Sequence, residues 1–523
     1  MNWSHVLETN AEKFPDKEAL VYEDRRITYR ELTDRVNGLA KGLLNLGIGK
    51  GDIVAILLYN CSEYIEATFT VNKIGAVWLP LNFRLAGPEL AYILNNAEAK
   101  MLISEKDFGE TIEKIRREIP NVAHYIAVGG EIPKGWQSYD ELIGENLGAD
   151  VDHAVVELDD LHRLMYTSGT TAYPKGVMLT YGNLYWKNIG HILTFNITHE
   201  DKTLVVGPLY HVGGMDLPAT GTLYAGGSLV ILRRFDPVKV LETIDREKVT
   251  NLWLAPAMVN VLFQEPTFGD YDVSSVRFII DGGEKMPMPL IKQIIEKFPN
   301  TWFADAYGLT ETVSGDTFLS KDRMVEKIGS VGKPVVQLRV RIVDDEGQDL
   351  PPGKLGEIVL RGPKVFKGYW KNPEATAEAL KNGWFHTGDI GRLDDEGYLY
   401  IEDRKKDIII SGGENVSSQE VERVIYENPK VLEAAVVGIP HPKWLEVPKA
   451  YVVLKKGERM TPEEVTELCS QKLAKFKVPR EVEFIDVLPR NPSGKVLKRE
   501  LRERSKKTEG KGNDQISREE DMG

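Results

Sequence analysis

The amino-acid sequence predicts an α/β fold, with a large N-terminal domain of layered α/β subdomains plus a small β unit, and a small C-terminal α+β domain. Apolar runs of strand length alternate with amphipathic stretches of helical length over the first 330 residues, a pattern typical of largely parallel sheets covered by helices. Near residue 330 the pattern changes to short alternating strands between turns. With 523 residues, the chain is also longer than one hydrophobic core usually organises, so two or more domains are expected.

The individual elements are predicted in chain order from hydrophobic periodicity. Buried strands are expected at 53–58, 75–81, 203–208, 228–232, 251–254 and 277–281. Helices are expected at 88–96, 237–247 and 288–298, and in the C-terminal part at 418–428 and 462–473. Short strands and Asp-Asp-Glu-Gly and Pro-Pro-Gly turns at 335–360 predict the small β unit. These elements suggest domains at 1–404 and 405–504, and a polar tail at 505–523 that is expected to be disordered.

Composition and charge exclude several classes of protein. The formal net charge of −13 argues against a nucleic-acid partner, since nucleic-acid-binding proteins present a basic face. Cys61 and Cys469 are the two cysteines and lie far apart in the sequence, which predicts neither a disulfide framework nor a cysteine metal site. No apolar run reaches the ~18 residues that span a membrane, and no signal-peptide pattern is present. We expect a cytoplasmic protein without a membrane span; peripheral membrane contact and a homodimer remain open alternatives.

The first functional motif lies at 166–180 and follows an apolar segment. Its hydroxyl, glycine and lysine residues are Thr167, Ser168, Gly169, Thr170, Thr171 and Lys175. Hydroxyl donors, backbone N–H groups made accessible by glycine and a fixed positive charge together suit a polyphosphate. The spacing differs from that of a Walker P-loop, which disfavours a mechanical ATPase. A polar surface turn without a ligand is the alternative interpretation.

Two further motifs lie at 281–284 and 307–312. The first, Asp-Gly-Gly-Glu, ends an apolar strand, and α/β sheets bind ligands at the carboxyl ends of their strands. In the second, Tyr307 can stack on a purine, Thr310 can bind a phosphate and Glu311 can hold Mg²⁺. A strand-to-helix turn and a capped helix start are the alternatives.

The last motifs belong to the C-terminal third, at 384–389, 403–407, 411–415 and 489–495. Asp389 can accept hydrogen bonds from both hydroxyls of a ribose, and Arg404 can brace the same sugar. The proline-containing turn at 489–495 delivers one lysine, Lys495. A surface Asp/Arg pair and a solvated basic loop are the ordinary alternatives when each motif is taken alone.

Together and in this order, the motifs resemble those of the AMP-forming, adenylate-making superfamily, which includes acyl-CoA synthetases, adenylation domains of peptide synthetases and luciferases. The resemblance runs from 28–32 to Arg502 and is closest to fatty-acyl-CoA and feruloyl/4-coumarate-type CoA ligases, notably at 407–415. One departure is Ala172, where the superfamily usually has glycine. Its methyl group restricts φ, but activity is expected because the neighbouring donors and Lys175 are present.

The resemblance implies an ATP-dependent acyl-CoA synthetase, an acid–thiol ligase that uses ATP, Mg²⁺ and coenzyme A. Lys495 would contact the substrate carboxylate and the α-phosphate, Thr310 would contact the α-phosphate, and Glu311 would carry Mg²⁺. Residues 167–175 would hold the pyrophosphate. The remaining adenine and ribose residues would be Gly282, Gly283, Glu284, Asp305, Ala306, Tyr307, Gly308, Asp389 and Arg404. A nucleotide-binding protein without turnover is disfavoured, because the catalytic groups are present.

The resemblance also implies that the C-terminal domain is mobile and rotates about Lys406 between two half-reactions. Rotation would remove Lys495 and bring a glycine-containing loop to the active site, where it leaves room for the pantetheine arm. That loop consists of Ser411, Gly412, Gly413 and Glu414. Weaker matches to positions that meet the CoA nucleotide are Arg84, Arg234, Phe476 and Lys477.

The acyl site is expected near His211, which stands where relatives gate this site. The predicted apolar lining consists of Val212, Gly213, Met215, Trp253 and Met258, although ordinary core packing is the alternative for each. An α-amino acid is disfavoured, since the chain lacks the pocket aspartate of amino-acid-activating relatives. A medium- to long-chain fatty acid is favoured because the glycines leave depth for a chain. An aryl acid, or transfer of acyl-AMP to a carrier protein, remains the alternative.

Overall fold

The computed structural model describes residues 2–167, 174–282, 286–404, 407–411, 414–441, 444–491 and 494–505. Within these ranges, the side chains of residues 404, 414 and 415 are not described. Over the described residues the fold is a mixed α/β architecture with a large N-terminal and a small C-terminal part, as the sequence predicts.

The strands of the described residues alternate with helices through the first three hundred positions and then become consecutive. In chain order they are β1 (Glu18–Tyr22), β2 (Arg25–Thr28), β3 (Ile53–Leu57), β4 (Val77–Pro80), β5 (Met101–Glu105), β6 (His124–Val128), β7 (Gln137–Ser138), β8 (Leu161–Thr167), β9 (Lys175–Thr180), β10 (Lys202–Val205), β11 (Ser228–Ile231), β12 (Asn251–Trp253), β13 (Phe278–Ile280), β14 (Trp302–Ala304), β15 (Ala306–Tyr307), β16 (Thr317–Phe318), β17 (Lys333–Pro334), β18 (Arg339–Val343), β19 (Gly356–Arg361), β20 (Gly368–Tyr369), β21 (Leu380–Lys381), β22 (Trp384–Leu393), β23 (Leu399–Arg404), β24 (Ile409–Ser411), β25 (Glu414–Val416), β26 (Val431–His441), β27 (Leu445–Leu454) and β28 (Glu481–Phe484).

The α-helices of the described residues lie mainly between the strands of the N-terminal part. They are α1 (Trp3–Lys13), α2 (Tyr29–Asn45), α3 (Ser62–Lys73), α4 (Gly87–Ala97), α5 (Gly109–Ile115), α6 (Tyr139–Glu145), α7 (Tyr181–Phe195), α8 (Val212–Asp216), α9 (Ala219–Tyr224), α10 (Pro237–Glu247), α11 (Pro256–Phe263), α12 (Met288–Lys297), α13 (Pro373–Ala379), α14 (Ser418–Ile425) and α15 (Pro462–Lys472). None of the helices in the part of the chain described here is both long enough and apolar enough to cross a membrane.

Two large sheets form the centre of the N-terminal part. One has the strand order β14-β13-β12-β10-β11-β1-β2 and is parallel except for the β1–β2 hairpin. The other has the order β20-β9-β8-β4-β3-β5-β6-β7, in which β20, β9 and β8 are antiparallel neighbours and the remaining pairs are parallel. These sheets confirm the prediction of parallel α/β layers.

Three smaller sheets follow in the chain. Strands β15 to β17 form an antiparallel sheet, and β18, β19, β21, β22 and β23 form a second one. In the C-terminal part, β24 to β27 are antiparallel and β28 joins β27 in parallel. The strand and helix positions predicted from periodicity are confirmed within a few residues. The domain limits at 404 and 504 remain predictions, and most of the predicted tail lies outside the described residues.

Local sequence explains where several helices begin and end. Helix α2 follows Thr28, whose hydroxyl accepts from the backbone N–H of Glu31 while the Glu31 carboxylate accepts from the N–H of Thr28, a reciprocal cap. Helix α10 begins with proline after Asp236, which caps its N-terminus. Helix α14 ends at Ile425, earlier than the predicted 428, because the residue before Pro429 is disfavoured in helical conformation.

The hydrophobic cores follow the sheets. A continuous core packs around both large sheets and includes Trp78, Tyr64 and Ile56, all essentially inaccessible to water. The C-terminal sheet has its own cores on its two faces. Cys61 and Cys469 are both free thiols buried in these cores. Burial of this apolar surface is what stabilises each part.

Candidate functional site

Four neighbouring parallel strands end at the same edge of the seven-stranded sheet. They are β10, β12, β13 and β14. Gly207 lies just beyond β10, Trp253 ends β12, Gly282 follows β13 and Asp305 follows β14. Because parallel strands share their carboxyl edge, the fold brings together motifs that are far apart in the sequence.

Two carboxyl groups lie together at this edge. Burial, and then the neighbouring charge of Asp305, raise the pKa of Asp281 well above its ordinary value. Asp281 Oδ1 also accepts a hydrogen bond of 3.1 Å from the backbone N–H of Ala306. Asp281 therefore positions the segment predicted to bind adenine, and its raised pKa disfavours a second negative charge beside Asp305.

The residues predicted to hold adenine and ribose are connected to each other. Tyr307 donates its hydroxyl to Asp389 Oδ2 at 2.7 Å, and both residues are buried. Arg404 is the register partner of Asp389 across β22 and β23. The predicted adenine platform, Tyr307, is thereby joined to the predicted ribose acceptor, Asp389. Gly308, which follows Tyr307 in the chain, packs against the backbone of Gly315.

The turn that carries Thr310 and Glu311 is followed by a strained backbone segment. Thr310–Thr312 forms a single 3₁₀ turn, and the next three residues, 313–315, have φ of +56°, +60° and +63°. For the β-branched Val313 this conformation is unfavourable, by roughly 1–3 kcal/mol. Such strain persists only when neighbouring contacts hold the chain in place.

A buried lysine supplies those contacts. Lys364 Nζ donates to the carbonyl oxygens of Ser314 and Gly315 at 2.8 and 2.7 Å and forms an ion pair of 2.8 Å with Asp316. An imidazole nitrogen of His191 contacts the same Gly315 oxygen at 3.0 Å. Lys364 is about 1 % exposed and Asp316 is fully buried. This cluster holds the segment directly after the predicted phosphate and magnesium residues.

The predicted pyrophosphate loop and the predicted magnesium ligand meet through a tyrosine. Thr167 and Lys175, which flank the loop, are register partners on β8 and β9. Lys175 Nζ lies 5.1 Å from the centre of the Tyr369 ring, and the Tyr369 hydroxyl donates to Glu311 Oε1 at 2.9 Å. Tyr369 therefore links a positive side chain, which lies over its ring, to a negative side chain, which accepts from its hydroxyl.

His211 lies within electrostatic range of Lys495, although the two residues belong to different parts of the chain. Nδ1 of His211 accepts a hydrogen bond of 3.1 Å from the backbone N–H of Gly213, so a neutral ring carries its proton on Nε2. The pKa of His211 is lowered to about 4, chiefly by burial; the negative charge of Asp216 opposes this shift, and the positive charge of Lys495 adds to it. The backbone N–H of Lys495 donates to the side chain of Asn491 at 2.8 Å, which closes its turn.

The predicted acyl lining comes from three elements of the fold. Helix α8 carries Val212, Gly213 and Met215, while Trp253 and Met258 come from β12 and α11. A Cβ atom added to Gly213 would lie 2.8 Å from the Trp253 indole. The reason given above for a long chain, that glycines leave depth, is therefore wrong at this position, because the indole occupies the space.

The CoA candidates fall into two groups. Arg84 and Arg234 are exposed and flank the aromatic pair Tyr59 and Phe83, with the guanidinium of Arg234 4.7 Å from the Tyr59 ring and that of Arg84 5.7 Å from the Phe83 ring.

The second group belongs to the C-terminal part. Lys477 forms an ion pair of 2.7 Å with Glu420, and Phe476 is 37 % exposed. Ser411 is buried at the end of β24 and is the register partner of Glu414. The structure thus places the two arginines on the N-terminal part and the other candidates on the C-terminal part.

Comparisons with known proteins decide the family. The profile of the AMP-binding enzyme matches residues 7–370, and that of the AMP-binding enzyme C-terminal domain matches residues 420–495. The chain belongs to the AMP-binding enzyme family. The sequence-based assignment to the adenylate-forming superfamily and to the acid–thiol ligases is therefore confirmed.

Several relatives of this AMP-binding enzyme resemble it over nearly the whole chain. A feruloyl-CoA synthase of Amycolatopsis sp is 39% identical over 492 residues, which are 94% of this chain and 96% of that protein. A long-chain-fatty-acid–CoA ligase of Mycobacterium tuberculosis (strain CDC 1551 / Oshkosh) is 38% identical over 486 residues, 92% and 93% of the two chains.

Solved structures resemble it equally completely. An anthranilate CoA ligase in complex with anthranoyl-AMP superposes with a TM-score of 0.90 at 29% identity, over 96% of this chain and 97% of that one. The o-succinylbenzoate CoA synthetase of Bacillus subtilis with its acyl-adenylate intermediate gives a TM-score of 0.85 at 36% identity, again over 96% and 97%.

Some predicted site residues of this AMP-binding enzyme lie outside the described residues. They are Ser168, Gly169, Thr170, Thr171, Gly283, Glu284, Lys406, Gly412 and Gly413. The same holds for Ala172 and for the side chains of Arg404 and Glu414. Their roles remain predictions from the resemblance.

Two residues of the site were missed by the sequence reasoning. Tyr369 follows a glycine in a stretch of basic and aromatic residues whose spacing matches no functional motif. Lys364 is part of a Gly-Pro-Lys sequence, which predicts a solvent-exposed turn. A lysine in a turn is normally exposed, so only its burial identifies Lys364. An apolar flank, Val365-Phe366, was the one available signal.

The buried neutral His211 predicts a loss of stability in acid. Its pKa is about 4 in the folded protein and near 6.5 in an unfolded chain, so between these values the unfolded state binds more protons. The free energy of unfolding should fall as the pH drops from 6.5 to 4, by up to about 3 kcal/mol from this residue. The burial-lowered pKa values of His162 and His191 act in the same direction.

The measurement is the thermal midpoint of the wild type and of His211→Gln at several pH values. We expect the variant to lose less stability than the wild type between pH 6.5 and 4. Above pH 7.5 the two curves should run parallel, which serves as the control. Identical pH slopes in the acid range would contradict the assignment of a buried neutral imidazole.

Proposed function

We propose that this enzyme activates a carboxylic acid with ATP to give acyl-AMP and pyrophosphate, and then transfers the acyl group to coenzyme A with release of AMP. It is an adenylate-forming acyl-CoA ligase, and the proposal assigns residues and substrate within that class. The single observation that carries it is the link between the predicted phosphate and magnesium residues: the Tyr369 hydroxyl donates to Glu311 at 2.9 Å, and Lys175 Nζ lies 5.1 Å from the centre of the Tyr369 ring.

The first half-reaction brings two anions together. The carboxylate must attack the α-phosphorus of ATP, and cations must neutralise the charge that develops there. In the proposal, Lys495 contacts both the carboxylate and the α-phosphate, and Thr310 donates to the same phosphate. Lys175 neutralises the leaving pyrophosphate. The proximity of Lys495 to His211 supports this placement, because the carboxylate would enter beside the imidazole.

Magnesium fits the site by its donor chemistry. Mg²⁺ is bound by one or two carboxylates together with substrate phosphates, and Glu311 presents a half-buried carboxylate beside Lys175 and Tyr369. A solved relative, the o-succinylbenzoate CoA synthetase of Bacillus subtilis, has been described in complex with ATP and a magnesium ion. Bound there, the ion would add charge neutralisation at the phosphates.

The second half-reaction needs a thiol where Lys495 had been. We propose that the C-terminal domain rotates about Lys406, so that the Ser411–Glu414 hairpin replaces Lys495 at the acyl-AMP. Arg84 and Arg234 would then hold the phosphates of the CoA nucleotide. The hinge assignment is based on the resemblance to the superfamily.

Lys406→Pro tests the hinge. Proline fixes φ near −65° and should block rotation, so adenylation should be retained while thioester synthesis from supplied acyl-AMP and CoA falls at least about tenfold. Pyrophosphate release and acyl-CoA formation are measured separately. Unchanged overall thioester synthesis would refute the hinge. Lys406→Ala, which removes the same side chain but leaves φ free, serves as the matched control.

The proposed acid has an apolar body. The predicted acyl-lining residues Val212, Gly213, Met215, Trp253 and Met258 carry no charge. The carboxylate of α8, Asp216, is fully buried and pairs with Arg163 at 2.7 Å, so it is engaged elsewhere and does not recognise an α-ammonium group. Medium- to long-chain fatty acids and aryl acids both satisfy this description. The relatives include ligases named for each kind of acid.

A carboxylic-acid panel with ATP, Mg²⁺ and CoA tests the proposed function. Acid-dependent pyrophosphate release together with acyl-CoA is the expected result. Pyrophosphate release without acyl-CoA would favour transfer of acyl-AMP to a carrier protein. If no acid releases pyrophosphate, the proposed function is wrong.

A further inference from the structure

Three metal-ligating side chains converge at the surface of the N-terminal part, and none of them belongs to the candidate active site. His5 and Glu8 lie on α1, and His153 lies in the segment between α6 and β8. Their ligand atoms, one imidazole nitrogen from each histidine and one carboxylate oxygen, are all within 4.8 Å of one another. Glu8 and His153 are 145 positions apart in the chain, so sequence spacing does not reveal this group.

The ligand atoms have the separations of a metal site. Nδ1 of His153 lies 3.1 Å from Glu8 Oε2, and Nδ1 of His5 lies 3.6 Å from the same oxygen. Metal–ligand bonds of about 2.0–2.2 Å in a tetrahedral arrangement place neighbouring ligand atoms about 3.4 Å apart. The two observed distances lie on either side of this value. Small changes in side-chain torsions are therefore enough to close the three groups around one ion.

A buried lysine orients the carboxylate. Lys73 donates to the other oxygen of Glu8, Oε1, and the Lys73 side chain is 3 % exposed. Ligating carboxylates are commonly held by such an outer hydrogen bond, which fixes their orientation. Because the ammonium group also offsets the charge of the carboxylate, most of the binding energy has to come from the two imidazoles. The site therefore favours ions that bind nitrogen.

The two segments that carry the ligands are fixed relative to each other. The side-chain amide of Asn2, directly before α1, donates to the carbonyl oxygens of Asn72 and Ala154 at 2.7 and 3.2 Å. The backbone N–H of Ala154 donates to the carbonyl oxygen of Lys73 at 2.7 Å. His153, the residue before Ala154, is thereby held beside α1 and the end of α3. Ligands that are already in place lose little conformational entropy on binding.

We propose that His5, Glu8 and His153 bind a divalent transition-metal ion of the Zn²⁺ type, with water in the remaining position. Imidazole nitrogens suit Zn²⁺, Cu²⁺ and Ni²⁺, whereas Mg²⁺ and Ca²⁺ prefer oxygen ligands. The Mg²⁺ that accompanies ATP therefore requires a different kind of site. The bound ion joins α1 to the segment that leads into β8 and, because it binds the folded protein, raises the thermal midpoint.

The test is a calorimetric titration of the metal-free, full-length protein with Zn²⁺ in the absence of nucleotide, together with thermal unfolding. The wild type should bind one Zn²⁺ ion at this site and unfold at a higher temperature when zinc is present. His5→Gln and His153→Gln should each weaken this binding by at least about tenfold, since loss of an outer partner alone costs about 10- to 100-fold. Mg²⁺ at the same concentration should not displace Zn²⁺.

His199→Gln is the matched control. His199 is also exposed, and its ring stacks on Phe14 with the ring centroids 5.0 Å apart, so zinc binding should stay at the wild-type level. The side chains of His5 and His153 are 53% and 40% exposed, so all three variants should fold, with thermal midpoints close to the wild type when zinc is absent.

A wild type that does not bind Zn²⁺, or zinc binding that is unchanged in both His5→Gln and His153→Gln, would overturn the inference. The same holds if His199→Gln loses as much affinity as those two variants, because the zinc then binds elsewhere. These outcomes are independent of acid-dependent pyrophosphate release, so they leave the proposed function unaffected.

Discussion

Lys495→Ala is expected to lower the rate of acyl-AMP formation by at least about a hundredfold. Removal of a group that stabilises developing charge in a water-excluded site commonly has an effect of this size. Lys495 is half-buried and close enough to His211 for its charge to lower the pKa of that imidazole. The measurement is acid-dependent pyrophosphate release in a single turnover.

The same variant should still convert supplied acyl-AMP and CoA to acyl-CoA, since in the proposed rotation the lysine leaves the site for that half-reaction. Equal loss of both half-reactions would contradict the role assigned to Lys495. Lys472→Ala provides a control within the same part of the chain, because Lys472 is 45% exposed and forms a surface pair with Glu427. It should leave both half-reactions unchanged.

Lys364→Met is expected to lower the free energy of unfolding by about 3–5 kcal/mol, the effect of removing one partner from a buried ion pair. Asp316 would be left buried without its cation, and the carbonyl oxygens of Ser314 and Gly315 would lose a donor. Because 313–315 follows the Thr310–Thr312 turn directly, adenylation should also fall. Denaturant unfolding and pyrophosphate release measure the two effects.

Lys367→Met is the control for this substitution. Lys367 lies three residues further along and pairs with Asp159 at 2.7 Å, but the two side chains are 43% and 82% exposed. Exposed pairs contribute about 0–1 kcal/mol, so stability and adenylation should stay close to the wild type. A similar loss in both variants would show that the burial of Lys364 is not what matters.

The elements of the fold were predictable because hydrophobic periodicity is a local property. Helix α10 has the predicted limits, 237–247, because proline follows a capping aspartate and the apolar spacing continues from there. The small differences lie at element ends, as at α14, where the approach to Pro429 ends the helix early. Local patterns do not determine the order of the strands within each sheet.

The candidate site was predictable in outline through its motifs. Asp389 and Arg404, assigned to one ribose, are register partners on neighbouring strands, and Tyr307 binds Asp389 directly. These residues carry recognisable spacing in the sequence. The acyl site was less predictable, because its glycines suggested open space that an indole fills.

The sequence alone predicts an adenylate-forming enzyme, because the order of its polar motifs and the alternation of its strands and helices are properties of the linear sequence. Contacts between residues that are distant in the sequence are decided by the tertiary structure. Tyr369 meets Glu311 across 58 positions, Lys364 meets Ser314 across 50, and Trp253 fills the space beside Gly207 and Gly213. Each depends on how separate segments of the chain pack together, and burial, not sequence spacing, determines what such a side chain contacts.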